Sequence, residues 1–367
     1  ADFSLTNSPV EVESVTIVGS RFRPRTQITS PVPIDNLQAK ELISTGQVSL
    51  DHMLAYRVPS YNVSQQTISD ATAHFDPAEL RGLGPSRTLV LINGKRRHAS
   101  SLVYINDTPG KGEVGVDMRS IPTAAIERVE VLRDGASAQY GSDAIAGVVN
   151  IIMKEETDYT EINLSAGQTA GGHTNAGDGD NKSVDINHGM NLGEKGYLSV
   201  TASYHDQDET RRTGEPGGDG LFGFLYDIGA IPIQAAGGFE ATPGVVATGA
   251  QIRSGDTDWQ RENPDLGTRI GTPNMTTADV FLNGSYDLNE QTELYAFTGF
   301  TQREGLSYAL YRAPYWPGVS DCCGLIPGAS ANGFQPTFET DITDNSFTAG
   351  VRGRKMDWDF DASLSSG

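Results

Sequence analysis

The sequence predicts an α+β domain followed by antiparallel transmembrane β-barrel strands, and three observations lead there. Up to about Lys154, helix and strand signals alternate. From about Tyr159, segments near ten residues long carry apolar side chains on one face and polar ones on the other. The links between these segments are alternately very short and long, as in barrels whose turns lie on one side of a membrane and whose loops lie on the other.

Composition narrows the field. The 367 residues include 47 acidic and 27 basic side chains, a formal net charge of −20. Phosphate backbones would repel such a chain, and no basic patch offsets this, so no nucleic acid is expected as a partner. With glycine counted and tyrosine left out, the apolar share is about 45%, ordinary for a folded protein. The longest apolar run, Ala144 to Met153, is about half of the ~20 residues a spanning helix needs. That excludes helical spans and leaves barrel strands open.

In the first domain, Pro33 to Gly46 reads as a short helix entered through Asp35 and Asn36 and stopped at Gly46. Ser49 caps a second helix running to about Arg57. Thr88 to Ile92 is a short buried strand ended by the turn pair Asn93-Gly94. A third helix starts at Pro122 and gives way to the alternating run Glu127 to Arg133. Gly147 to Met153 closes the domain as a strand.

Seven strands are expected beyond it, at about 159–168, 181–192, 197–208, 276–288, 293–304, 346–354 and 358–367. In one of them Ala278, Val280, Leu282, Gly284 and Tyr286 oppose Asp279, Asn283, Ser285 and Asp287, with Phe281 the exception. The short links are Gly193 to Gly196, Asn289 to Thr292 and Lys355 to Asp357; the long ones are 169–180, 209–275 and 305–345. A soluble sandwich shares the alternation, but loops beyond ~12–15 residues are rare in compact sandwiches.

Two stretches carry a family likeness: ELRGLGPSRTLVLINGKRRH from Glu79 to His98, and IPTAAIERVEVLRDGASAQYGSDAIAGVVNIIMK from Ile121 to Lys154. In order and spacing they resemble the plug domain of TonB-dependent outer-membrane receptors. Val12 to Arg21 resembles the TonB box, the segment such receptors offer to the periplasmic energy-transducing protein TonB. One local departure, Asp134-Gly135 where many members have Gly-Pro, suggests a subgroup. The implied organisation is an N-terminal extension over 1–24, a plug over 25–155 and a partial barrel over 156–367. Because the family's barrels have about 22 strands and an open edge in lipid leaves backbone groups unpaired, the chain is expected to be the N-terminal part of a longer receptor.

The resemblance implies energy-coupled import of a scarce ligand across a Gram-negative outer membrane, with plug and N-terminus on the periplasmic side. Siderophore, haem, cobalamin and oligosaccharide cargoes stay open, and lipid and lipopolysaccharide surround the barrel. Val12, Glu13, Ser14, Val15, Thr16, Ile17 and Val18 are the expected TonB-binding segment; the β-branched run suits a strand added to a partner's sheet edge. An ordinary first strand of the plug is the plainer alternative. Arg81, Arg87, Glu127, Arg128, Glu130, Arg133 and Asp134 are expected plug–barrel contacts, against solvated charges on a sheet. Plug loops Gln65 to Asp76 and Lys95 to Val116 are expected to face the ligand.

In the last long loop, Tyr308, Tyr311, Arg312, Tyr315, Trp316 and Phe334 offer aromatic faces and a cation to a ring or sugar, or else pack loop on loop. Adjacent Cys322 and Cys323 are expected to form a disulfide in an oxidising exterior, strained because their α-carbons are only ~3.8 Å apart. No cofactor and no metal centre is expected; Asp178, Asp180 and Asn181 could bind calcium, with a solvated acidic loop as the default.

The protein is expected not to be an enzyme. No G-x-S-x-G, H-E-x-x-H or C-x-x-C-H motif occurs, the Gly82/Gly84 turn lacks the rest of a phosphate loop, and the six histidines are scattered. A surface docking or assembly component without transport is the first rival reading, and a secreted β-rich carbohydrate enzyme the second.

Overall fold

The computed structural model describes residues 15–16, 25–26, 34–63, 70–105, 110–133, 137–170, 178–212, 249–255, 258–262, 264, 269–309, 311–313 and 334–367. The first part begins with two short strands, Val15–Thr16 (β1) and Arg25–Thr26 (β2), paired antiparallel. It continues with Ile34–Gln38 (β3), Ala39–Ile43 (α1), Leu50–Arg57 (α2), Tyr61–Asn62 (β4), Glu79–Leu80 (β5), Thr88–Ile92 (β6), Lys95–Arg96 (β7), Ile126–Leu132 (β8) and Gly147–Met153 (β9). Five of these form one sheet in the order β3-β8-β9-β6-β7, with β6 and β9 parallel. Leu50, Leu54 and Val58 cover it, packing with Leu80, Val90, Val129, Val131, Val149 and Ile151.

Two helix expectations give way to strand. Ile34 to Gln38 pairs with β8, Ile34 opposite Leu132 and Gln38 opposite Arg128, so the helix begins only at Ala39. There the Gln38 amide donates to Glu41 Oε2 at 2.9 Å, a local cap that neither Asp35 nor Asn36 supplies. After Pro122 a single 3₁₀ turn, Thr123–Ala125, precedes β8. Ile126, Val129 and Val131 are fully buried there, and the two-sided pairing of β8 outweighs local helix preference. The hairpin turn is as expected: Asn93 and Gly94 take φ of 48° and 77°, the left-handed pair that suits a two-residue link.

The second part is one antiparallel meander of seven strands: Tyr159–Thr169 (β10), Asp178–Asn191 (β11), Gly196–Gln207 (β12), Asn274–Asn289 (β13), Thr292–Tyr308 (β14), Thr337–Lys355 (β15) and Trp358–Ser366 (β16). Neighbours in sequence are neighbours in the sheet. Two loops are shorter than expected. β14 and β15 stay paired out to Tyr308 and Thr337, and β11 already starts at Asp178. The β11 extension has no apolar side chain, and in the β15 extension only Phe338 and Ile342, four residues apart, interrupt polar ones, which is too sparse an alternation to mark a strand.

The burial of this sheet is inverted relative to a soluble protein. Across five strands, Ile162, Ile186, Ala202, Val280 and Phe300 stand in one row of the register; the four large side chains among them are 39–60% exposed. On the opposite face Asn187, Thr201, Asp279, Asn283 and Arg303 are buried against the plug. From Ala278 to Tyr286 the outward apolar face of β13 runs about 27 Å along the strand, or about 19–22 Å along the membrane normal at a tilt of ~35–45°, which is most of the ~25 Å apolar band of an outer-membrane barrel. Phe281 has a reason as well: with Tyr295 and Phe297 it faces inward and joins the plug's own core cluster.

Candidate functional site: the plug–wall interface

The inward face of the wall meets the plug through polar groups. Arg303 of β14 donates to Asp117 Oδ2 at 2.7 Å and to the carbonyl of His74 at 3.0 Å, with its side chain fully buried. Thr340 of β15 pairs with His74 Nδ1 at 2.8 Å. A side chain at Gly305 would meet the His74 ring at 2.8 Å, so glycine there lets the wall backbone approach the plug.

Farther along β15, Asp344 receives the guanidinium of Arg97 and stands 2.9 Å from His98 Nε2. At β16, Asp361 accepts from Lys95 Nζ at 2.8 Å and from Tyr295 Oη at 2.6 Å. Lys95 also lies 5.5 Å from the Tyr295 ring centroid. Closest to the plug sheet, Asn93 Nδ2 donates to Asn283 Oδ1 at 3.1 Å, and Asn283 Nδ2 donates to the carbonyl of Lys154 at 3.0 Å. These are contacts that water can replace in part, at a net ~1 kcal/mol each for neutral pairs. An interface built this way can hold and also part.

Burial sets the charge state beside it. His74 is driven down to about 4 by desolvation, reinforced by the guanidiniums of Arg119 and Arg303, so it faces Arg303 as a neutral ring. Asp76 is driven up to about 6 by desolvation, against the pull of Arg119, which holds it in an ion pair.

The charged residues expected at this interface have partners inside the plug. Arg81 donates to the carbonyl of Arg133 at 3.2 Å, Arg87 pairs with Glu113 at 2.5 Å, and Arg133 pairs with Asp35 at 2.9 Å. Arg128 pairs with its neighbours Glu127 and Glu130, and Glu130 accepts from Asn150 at 3.2 Å. Asp134 lies outside the described residues. The reason is positional: β8 lies inside the plug sheet, between β3 and β9, so its charges find plug neighbours first. The contacts that do reach the wall come from the β6–β7 turn, Lys95 to His98, the 3₁₀ turns ending at His74 and Ser120, and the Lys154 carbonyl just after β9. Inward carboxylates at Asp279, Asp344 and Asp361 were the available signal, since each breaks the polar face with a full charge.

The glycine turn binds a carboxylate of its own chain. Glu113 accepts from the Ser86 amide at 3.2 Å and its hydroxyl at 2.8 Å, while the Gly84 amide donates to Glu79 at 3.3 Å. Asp178 accepts from the Arg211 amide at 2.5 Å and pairs with Arg212 at 2.8 Å, and Asp180 accepts from Gln168 at 2.9 Å. Two of the three residues that could have bound calcium therefore have protein donors.

Of the outer aromatic group, Tyr308 ends β14 and carries Arg269 at 4.7 Å from its ring. Arg312 and Phe334 form a backbone bridge beside Tyr311. Tyr315, Trp316, Cys322 and Cys323 lie outside the described residues, as do Val12, Glu13, Ser14, Ile17 and Val18 of the TonB-box-like segment. Val15 and Thr16 form β1, opposite Thr26 and Arg25. Of the plug loops expected to face a ligand, 65–69 and 106–109 are likewise outside.

A small α+β plug is thus seated by polar contacts against the inward face of an inverted sheet, the arrangement of a plug against a barrel wall. Residues 26–148, about a third of the chain, match the family described as TonB-dependent Receptor Plug Domain, and the chain carries that plug domain. It is 30% identical over 169 residues to the ferric enterobactin receptor of Pseudomonas aeruginosa, covering 44% of this chain and 22% of that protein. To the vitamin B12 transporter BtuB of Vibrio vulnificus it is 32% identical over 167 residues, covering 43% and 24%. A variant of the ferric enterobactin receptor from Pseudomonas aeruginosa, solved with enterobactin, superposes with a TM-score of 0.56 at 17% identity, over 90% of this chain and 40% of that one. The siderophore receptor PirA from Acinetobacter baumannii gives 0.51 at 18% identity, over 89% and 38%. The matched region is thus about a quarter or less of these curated relatives, and the fold match spans about two fifths of the solved chains.

Proposed function

We propose that the protein is an outer-membrane receptor that imports a scarce small ligand by energy coupled through TonB, with plug and N-terminus on the periplasmic side. The inverted sheet carries this reading. Large apolar side chains on one face and buried polar ones on the other suit a wall with lipid outside and a plugged polar lumen inside. In water each exposed large side chain would forgo ~1.5–3 kcal/mol of burial.

Ligand binds from the loop side, the polar plug–wall contacts yield when the N-terminal segment is pulled, and no bond of the ligand is made or broken. Relatives named as enterobactin, siderophore and vitamin B12 receptors support a cargo of iron–siderophore or cobalamin class; haem and oligosaccharide belong to the same range of scarce, bulky solutes. The test is energised uptake in cells carrying the receptor with residues 12–21 deleted. Uptake should stop while surface binding of the ligand persists, and uptake at the intact rate would overturn the proposal.

A further inference from the structure

One group of side chains inside the plug is left unused by the transport reading. Asp51, in the first turn of α2, is 1% exposed, and Asp76 is 4% exposed. Their carboxyl groups lie within hydrogen-bonding reach of each other, yet neither oxygen of Asp51 has a hydrogen-bond partner among the described residues. Two ionised carboxylates have no hydrogen to share; one proton between them makes the missing bond.

The surrounding charges require the same proton. Arg119 faces Asp76, and Arg303 of the wall faces Asp117. Glu79 is taken up by the glycine turn. His52, whose Nε2 is 3.6 Å from Asp51, and His74 are both shifted toward their neutral forms by burial. Tyr61 and Tyr104 bring only neutral hydroxyls, held protonated by burial. Three carboxylates, Asp51, Asp76 and Asp117, therefore face two guanidiniums; beyond them Arg97, near Asp117, is held by Asp344, and Asp279, near Arg303, is held by the Thr301 hydroxyl, so one proton brings the inner group to neutrality, the state that a buried site favours.

We propose that the plug core binds one proton between Asp51 and Asp76, and that docking of Arg303 on Asp117 sets the affinity for it. When plug and wall part, the group loses one positive charge and holds the proton more tightly, so acid favours the parted state. The second half rests on the plug moving against the wall, as proposed above; the proton itself does not.

The experiment is an infrared titration of the full-length protein in detergent micelles between pH 4.5 and 8, following the protonated-carboxyl band. A component should titrate in wild type and be missing in both Asp51→Asn and Asp76→Asn, either of which suffices if the other does not fold. In Arg303→Gln its midpoint should rise by about one pH unit, a tenfold tighter proton. Absence of that component from wild type would overturn the site, and an unmoved midpoint in Arg303→Gln would overturn the link to the wall. A Val15→Pro receptor should keep the band unchanged whether or not it transports, so failure of the transport reading is read separately.

Discussion

Arg303 of the wall and Asp117 of the plug meet at 2.7 Å with side chains 0% and 3% exposed. The pair spans the two parts of the molecule and is shielded from solvent screening. Its geometry is incomplete, because Arg303 Nε and Nη2 have no partner among the described residues. That uncompensated desolvation lowers the free energy needed to part plug from wall.

Removing one member should cost more than removing both. Arg303→Leu leaves Asp117 buried without its cation and should destabilise plug docking by about 3–5 kcal/mol. Adding Asp117→Asn should recover most of that. Limited proteolysis of the plug, or urea unfolding in micelles, would measure the difference; equal losses in single and double variants would argue against a buried pair.

Two plug groups oppose each other in their pH dependence. His74 has a lowered folded-state value, about 4 against 6.5, so its contribution is present above 6.5 and is lost as pH falls toward 4. Asp76 is raised, to about 6 from 3.8, so its contribution is present below 3.8 and is lost as pH rises through 6. Each amounts to about 3 kcal/mol at most, and between pH 4 and 6 they nearly cancel. In His74→Gln, stability should therefore fall as pH rises through that window, and in Asp76→Asn it should rise. Melting curves at four pH values would show it, and parallel slopes in the two variants would refute the assignment.

The outward face should reject charge. Val280→Arg or Phe300→Arg, in the middle of the exposed apolar row, should reduce assembly into the outer membrane by about 2–4 kcal/mol of insertion free energy. Leu294→Arg, on the same face but opposite Tyr286 at the end beside the short turn, should cost less. Membrane-fraction yield and heat-modifiable mobility on gels are the readouts.

Val15→Pro removes one backbone donor from the N-terminal strand segment. Energised uptake should be lost while ligand binding at the surface is kept. Uptake at the wild-type rate would remove this segment from the coupling step.

Much of this was legible from residues alone. Strong period-two alternation located the wall strands, because a strand between lipid and a polar lumen needs two different faces, and each such segment announces itself locally. The Asn93-Gly94 turn, α2 and the buried strand at Thr88 to Ile92 were equally local. What failed locally was Ile34 to Gln38, which looks helical until β8 is beside it. The ends of β14 and β15 were also missed, since their few apolar residues, such as Phe338 and Ile342, are too widely spaced to show alternation.

The sequence by itself determined the two-part organisation, the plug motifs and the direction in which each wall strand presents its apolar face, since these depend on residue order and short-range periodicity. Only the tertiary structure decided which charges join plug to wall. Arg303 and Asp117 are 186 residues apart in the chain, and no periodicity relates them. Their pairing follows from seating one fold inside the curve of another, where the lack of solvent leaves each buried charge to find its counterion in whatever the other part presents.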